Sequence, residues 1–404
     1  MLPDRASILL LPRYTSGSGV QRMLSALEWC CKFDRSRPPG HLMKIWIVIT
    51  NLQGGGAERA IINIAGGLSG RGHQVTLVLL EDHIEYAIPP AVAVRAIGRP
   101  KRGISKGWIG KRFSTWRLKR WVRRQPASAQ PDLVISTLPF ADEVVRATGL
   151  KNVWYRITNT LSAEIAAFQA SNPTKANRRL ARYRRLYGGQ NIIAVSSGVA
   201  TDLRERLSIQ SVETVVIYNP LELDEIRKKA VLPEAGLPTE PYIIHAGRFV
   251  RQKRHDVLFD AFAASKLPHR LVLLTKGSRA LRQMIANHGL TERVTITGFL
   301  SNPFPWYAKA SALVLSSDFE GFPNVLVEAL ACGTPVVSTN CPSGPNEILI
   351  GALSRYLTPC GDPVALARNL TSVVEAPPAI DPAIVDRFSQ NVALDAIEAL
   401  ARRV

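Results

Sequence analysis

No stretch of this chain stays apolar for the eighteen or so residues that a membrane-spanning helix needs, and Ile8–Leu11 is too short for the core of a signal peptide. A cytoplasmic chain is the expectation. Cysteine is scarce: Cys30, Cys31, Cys332, Cys341 and Cys360 make an odd total with no Cys-x-x-Cys pair, which excludes a disulfide framework and a zinc ribbon. Cys332 reads as a packing residue. The dinucleotide Gly-x-Gly-x-x-Gly and the Lys-Ser/Thr ending of a P-loop are both missing, as is any zinc finger or RRM signature. Acidic residues are in deficit, with 32 Asp and Glu against 51 Lys and Arg.

What is present is enough for two cores. The 404 residues are 46% hydrophobic and 21% charged, a composition and length that fit two domains of ordinary size. Residues 1–42 read as a poorly ordered extension, with a short helix around Val20 to Lys32. From Met43 strands and helices alternate. Strands are expected at Lys44–Thr50, Gln74–Leu80, Asp132–Ser136, Asn152–Ile157, Asn191–Val195 and Thr214–Tyr218, with a helix over Glu58–Gly70. After Asn219-Pro220 the pattern restarts with Tyr242–Ala246, Arg270–Leu274, Arg293–Thr297, Ala312–Leu315 and Pro335–Ser338. Such alternation predicts an α/β fold of doubly wound parallel sheets. The expected division is 43–220, 221–382 and a last helix over 383–404.

The densest signal is Phe319-Glu320-Gly321-Phe322-Pro323-Asn324-Val325-Leu326-Val327-Glu328, followed by Gly333-Thr334-Pro335-Val336-Val337. Glu320 and Glu328, with seven residues between them, flank a Gly-Phe-Pro turn that opens a helix. Pro323 fits the first helical position, where no N–H is needed. Free amides at a helix N-terminus suit a diphosphate. Glu320 can accept hydrogen bonds from sugar hydroxyls, and Glu328 from both hydroxyls of a ribose. Upstream, Tyr242–Ala246 ends in Gly247-Arg248, with Lys253 five residues on. Fixed cations there would stabilise charge that grows on a departing diphosphate.

This pairing resembles the donor site of the retaining glycosyltransferases of family 4, which have the GT-B fold. The resemblance covers nearly all of Met43 to Val404 and is similar to bacterial members that build cell-surface polysaccharides. Ile217-Tyr218-Asn219-Pro220 resembles the exit to the donor domain, and Cys341 to Ile348 resembles a loop common in those members. It implies two Rossmann-like domains facing across a cleft, with the last helix packing back on the N-terminal one. It implies that Arg248, Lys253 and Glu320 carry the chemistry. The donor would be held by Gly247, Arg248, Lys253, Phe299, Glu320, Gly321, Phe322, Pro323, Asn324, Val325, Leu326 and Glu328. No metal or other cofactor is implied, and UDP is the favoured donor nucleotide. Transfer of a hexosyl or N-acetylhexosaminyl group to a glycan or lipid-linked glycan is the implied activity.

The N-terminal half adds candidates for the acceptor. Gly54-Gly55-Gly56 precedes a helix, so it can let backbone approach an anion; a simple tight turn is the competing reading. Similar Gly-Gly-Ala-Glu-Arg runs face the cleft in the family. Where relatives often carry a histidine, this chain has Thr158 and Asn159, either of which could contact sugar or acceptor. It also departs from the family at Thr275-Lys276-Gly277-Ser278, where relatives have a glycine-rich turn. An inverting transferase, a sugar phosphorylase and a catalytically inactive nucleotide-sugar or membrane-binding protein stay open as alternatives.

Charge is lopsided. Residues 43–220 hold 26 Lys and Arg against 11 Asp and Glu, a net of about +15, whereas 221–404 come to about +1. The excess gathers in Lys101–Arg124, among Trp108, Phe113, Trp116 and Trp121, and in Lys175–Arg185. Cations interleaved with aromatics suit an anionic membrane surface, which points to the inner face of the cell membrane; nucleic acid ranks lower.

Overall fold

A computed structural model describes residues 42–98, 107–169 and 171–401. The expected extension 1–42 therefore lies outside the described residues except for Leu42, as do Lys101–Lys106 of the basic run and the last three positions.

Two wholly parallel sheets form the body. The first has the order β3-β2-β1-β4-β5-β6-β7: β1 Lys44–Ile49, β2 Gln74–Leu79, β3 Ala93–Ala96, β4 Leu133–Thr137, β5 Val153–Ile157, β6 Asn191–Ala194 and β7 Glu213–Val216. The second has the order β10-β9-β8-β11-β12-β13: β8 Tyr242–Ala246, β9 Arg270–Leu274, β10 Val294–Ile296, β11 Ala312–Leu315, β12 Val336–Thr339 and β13 Leu357–Thr358. β3 and β13 were not anticipated. β3 is nearly all exposed and β13 has two residues, so neither shows a buried apolar run.

The helices used below are α1 Gly56–Gly70, α2 Trp108–Arg123, α3 Pro139–Thr148, α4 Leu161–Gln169, α5 Pro173–Tyr187, α6 Leu223–Ala230, α7 His255–Ser265, α8 Arg279–Asn287, α9 Phe304–Lys309, α10 Asn324–Ala331, α11 Pro363–Glu375 and α12 Gln390–Ala401. β1 shows why the sheet is covered on both sides. Its Ile45, Ile47 and Ile49 share a core with Ile61, Ile64 and Leu68 of α1 and Leu394, Ile397 and Leu400 of α12. Trp46 and Val48, pointing the other way, belong to the core that holds Leu118 of α2, Val144 of α3 and Tyr183 of α5.

The chain winds outward from β1 to β3, then returns to β4 and winds the other way. A reversal of this kind opens a crevice at the carboxyl ends of the two central strands. In the first sheet the loop after β1 carries Gly54–Gly56. In the second, β8 and β11 are the reversal pair, and their loops carry Lys253 and Glu320.

The chain crosses between the sheets twice, side by side. Leu221 N–H donates to the Phe388 carbonyl (3.2 Å), and Gln390 N–H to the Leu221 carbonyl (2.9 Å). The expected continuous last helix is broken: a short helix covers Pro382–Asp386 and α12 begins at Gln390. α12 packs on α1 and β2, where Arg71 Nη1 meets Asp395 (2.6 Å) and Glu398 (3.1 Å), and His73 Nε2 lies 3.0 Å from Glu398. Among the described residues no helix is long and apolar enough to cross a membrane.

Candidate active site

The loops after β8 and β11 are stitched together before they present any side chain. Asp318 N–H donates to the Gln252 carbonyl (2.9 Å), Gln252 Nε2 to the Phe319 carbonyl (2.6 Å) and Ser316 Oγ to the Lys253 carbonyl (2.7 Å). Arg254 takes a left-handed conformation (φ 46°) and ties the turn down through Asp256 and Asp318. Lys253 thereby reaches Glu320, its Nζ 2.6 Å from Oε1, and Ser317 Oγ donates to the same oxygen at 2.6 Å. Glu320 is buried. Gly247 lies against the Lys253 stem: a Cβ there would sit 3.2 Å from Lys253 Cε and 3.3 Å from His245 Nε2.

Pro323 stands one position earlier than expected. It is the cap of α10 (φ −80°, ψ 85°), because Asn324 N–H folds back onto the Phe322 carbonyl at 3.0 Å and the helix begins only there. Leu326 N–H is taken by the Pro323 carbonyl (3.0 Å). The amides of this end are therefore partly committed to local turns. Phe322 is buried against Tyr218 and Phe388.

Glu328, in the second turn of α10, is almost fully buried, and that burial raises its pKa despite the nearby Arg59. Arg59 comes from α1, across the crevice: its Nη1 is 4.0 Å from Glu328 Oε1 and its guanidinium lies 5.5 Å from the centre of the Phe304 ring. Arg59, three residues past the Gly54–Gly56 loop, thereby meets the helix that carries Glu328. Gly55 N–H donates to the Tyr86 hydroxyl (3.0 Å), which donates to the Gly55 carbonyl (3.1 Å). Arg248 is exposed, and its charge acts on Glu58, whose carboxyl is nonetheless raised by burial. Phe299 stands apart, 83% exposed, after Gly298 at φ 83°.

The N-terminal sheet touches the motif at its glycine. A Cβ on Gly321 would lie 2.0 Å from the Thr158 carbonyl oxygen and 2.9 Å from Asn159 Cα, so Asn159 adjoins the donor motif through its backbone. Thr160 donates through its hydroxyl to the Glu320 carbonyl, and Ser196 Oγ to the Gly321 carbonyl (2.7 Å). Glu347 accepts from Ser197 N–H (2.7 Å), Gly198 N–H (2.8 Å) and Tyr218 Oη (3.0 Å).

Beneath these lies a residue that sequence reading missed. Arg156, on β5, is fully buried and donates to Asn219, whose Nδ2 donates to Asn324 Oδ1 at 2.7 Å. Burial lowers the Arg156 pKa to about 10. Arg59, Thr160 and Ser317 were also missed as site residues. Arg59 had a signal in its place in the Gly-Gly-Ala-Glu-Arg run, and Thr160 in its place beside Thr158 and Asn159; Ser317 had none.

A crevice between two parallel sheets, with a cation–carboxylate pair on one wall and a glycine loop on the other, defines a GT-B protein. The family profile "Glycosyltransferase Family 4" matches residues 54–225, and "Glycosyl transferases group 1" matches 240–376. The chain belongs to these glycosyltransferases. It is 29% identical over 313 residues to the N-acetylgalactosamine-N,N'-diacetylbacillosaminyl-diphospho-undecaprenol 4-alpha-N-acetylgalactosaminyltransferase of Campylobacter jejuni, covering 76% of this chain and 83% of that protein. It is 31% identical over 228 residues to the lipopolysaccharide 1,6-galactosyltransferase of Escherichia coli, covering 52% and 62% respectively. The crystal structure of Anabaena HepE in complex with UDP and glucose superposes with a TM-score of 0.67 at 20% identity, over 90% of this chain and all of that one.

Proposed function

We propose that this protein moves a sugar, hexosyl or N-acetylhexosaminyl, from a UDP-sugar to a lipid-linked glycan with retention of configuration. The step belongs to lipopolysaccharide or other cell-surface polysaccharide synthesis at the inner face of the cell membrane. The reading rests chiefly on the Lys253–Glu320 pair, set on switch-point loops against the start of α10. Two relatives' names support it, one acting on a diphospho-undecaprenol substrate and one on lipopolysaccharide. HepE, bound to UDP and glucose, lends support to the nucleotide.

In this reading Arg248 and Lys253 take up the negative charge that grows on the diphosphate as the sugar–phosphate bond breaks. The first turn of α10 adds amide dipoles, and Glu320 orients the sugar. The acceptor hydroxyl attacks the anomeric carbon from the face the diphosphate leaves, and a phosphate oxygen takes its proton. No side chain becomes covalently bound and no resident metal takes part. Glu328 receives the ribose hydroxyls, and Arg59 reaches it from the acceptor side. The basic N-terminal half rests on anionic membrane.

The test is to incubate purified protein with a panel of nucleotide sugars and a lipid-linked acceptor extract, then follow nucleotide release and the anomeric configuration of the product. UDP release with a retained anomer is expected. Release from no donor, or an inverted product, would overturn the proposal.

A further inference from the structure

α2 is built with two unlike faces. Gly110, Ser114 and Leu118, four residues apart, are buried, and Trp121 lies 4.4 Å from Trp46 of β1, ring centre to ring centre. The opposite face exposes Trp108, Ile109, Phe113 and Trp116, two of them by more than 70%. Large apolar side chains are not normally left in water in such a row on a helix. Between them stand Arg112, Arg117 and Arg120, whose guanidinium groups lie 5.0, 4.9 and 5.8 Å from the ring centres of Trp108, Phe113 and Trp116, each pair one helical turn apart. Phe113 and Trp116 stack at 5.9 Å. The helix has no acidic residue.

A second cationic helix lies on the same side of the sheet. α5 also has no acid and carries Lys175, Arg178, Arg179, Arg182, Arg184 and Arg185. Glu143 of α3 joins the two, meeting Lys111 Nζ of α2 at 2.6 Å and Arg182 Nε of α5 at 2.6 Å. α2 runs back from the carboxyl end of the sheet toward the start of β4. Trp108, Ile109 and Phe113 therefore sit at the end where Gly54–Gly56 borders the crevice.

We infer that the exposed face of α2 seats in the headgroup layer of an anionic bilayer, with its rings at the headgroup–acyl boundary and its arginines on lipid phosphates. The cations of α5 act as a flanking contact. Aromatics with cations one turn away match that layer, which is apolar below and anionic above. A soluble anion would need the charges but would leave four apolar side chains in water. The docked face sets the crevice mouth beside the lipid surface, so an acceptor on a lipid carrier meets Gly54–Gly56 without leaving the bilayer. The inference deepens the membrane part of the proposed function and does not depend on catalysis.

The test uses the full chain in cosedimentation with phosphatidylcholine vesicles, with and without phosphatidylglycerol, and reads tryptophan emission. Binding that needs phosphatidylglycerol, weakens in salt and shifts the emission to the blue is expected. Trp108→Ser with Trp116→Ser, and separately Arg112→Glu with Arg120→Glu, should each weaken it about tenfold or more. Lys228→Glu with Lys229→Glu on α6 should leave it little changed. Unaltered melting temperatures show that the variants fold. Vesicle binding indifferent to both α2 variants, or equal without anionic lipid, would overturn the inference. So would a duplex RNA or DNA that binds more tightly than vesicles with the same variant losses, or a dimer that α2 variants dissolve. UDP binding on the same samples keeps the readings apart: vesicle binding without nucleotide binding would sink the transferase and leave the docking face standing.

Discussion

Lys253 Nζ sits 2.6 Å from Glu320 Oε1, and the two side chains arrive from loops on the two central strands of the second sheet. The pair does two jobs. It neutralises a buried carboxylate and, in the proposed mechanism, holds an ammonium where a diphosphate would depart. Lys253→Ala should lower kcat/KM about a hundredfold or more, the equivalent of about 2.7–4 kcal/mol of transition-state stabilisation. It should also cost about 3 kcal/mol of stability, since Glu320 is left buried beside Ser317 alone. Nucleotide release and urea unfolding measure the two effects. Turnover that survives intact would remove Lys253 from the chemistry.

Gly321 tolerates no side chain. Its added Cβ would lie 2.0 Å from one backbone atom and 2.6 Å from another, both of Thr158, and backbone cannot step aside as a flexible side chain can. Gly321→Ala should therefore destabilise by about 1–3 kcal/mol and reduce kcat, because relief requires the two sheets to shift apart. Gly70→Ala is the control. Nothing lies within 4 Å of its added Cβ, so it should stay within about 0.5 kcal/mol of the parent. Thermal melts of both variants decide the matter.

Arg59 approaches Glu328 at 4.0 Å with its side chain more than a third exposed, so the pair itself is worth no more than about 1 kcal/mol. Arg59→Ala should raise the donor KM by roughly fivefold or less while leaving kcat close to the parent value. A fall in kcat with KM unchanged would instead put Arg59 in the reacting centre.

Asp142 supplies a pH dependence away from the crevice. It is fully buried, and desolvation raises its pKa to about 7 against the opposing hydrogen bonds from Ser136 Oγ (2.6 Å) and Tyr187 Oη (2.8 Å). The neighbouring Glu143 pushes the same way, and Arg182 opposes it. The folded state then holds a proton that the unfolded chain has lost between its ordinary value of 3.8 and about 7. Stability from this group accordingly falls as pH rises through that window. Asp142→Asn should flatten the decline in melting temperature between those limits. An unchanged profile would show that Asp142 is ionised in the fold at neutral pH.

Strands such as Tyr242–Ala246, Arg270–Leu274 and Ala312–Leu315 were legible because both faces of a covered parallel sheet demand unbroken apolar runs. Ala93–Ala96 was not, since an exposed edge strand carries no such pattern. Glu320 and Lys253 were singled out by their resemblance to the family's donor motif, and the structure brings the two together because short local loops set their positions. Arg156 could not. Its role comes from meeting Asn219 and then Asn324, positions 63 and 105 residues apart along the chain, and nothing in its neighbourhood in sequence announces that contact. Pro323 was misplaced by one because a proline can serve equally as a cap or as a first helical residue, and the Asn324 turn decides which.

The two linking segments that run parallel at Leu221 and Ser389 give the molecule a fixed order of assembly. The first sheet lacks the helix that covers Ile45 and Leu68 until every residue of the second sheet has been made, because α12 follows it in the chain. Until then, the nascent first half exposes an oily flank along α1 and β1 that the returning segment closes.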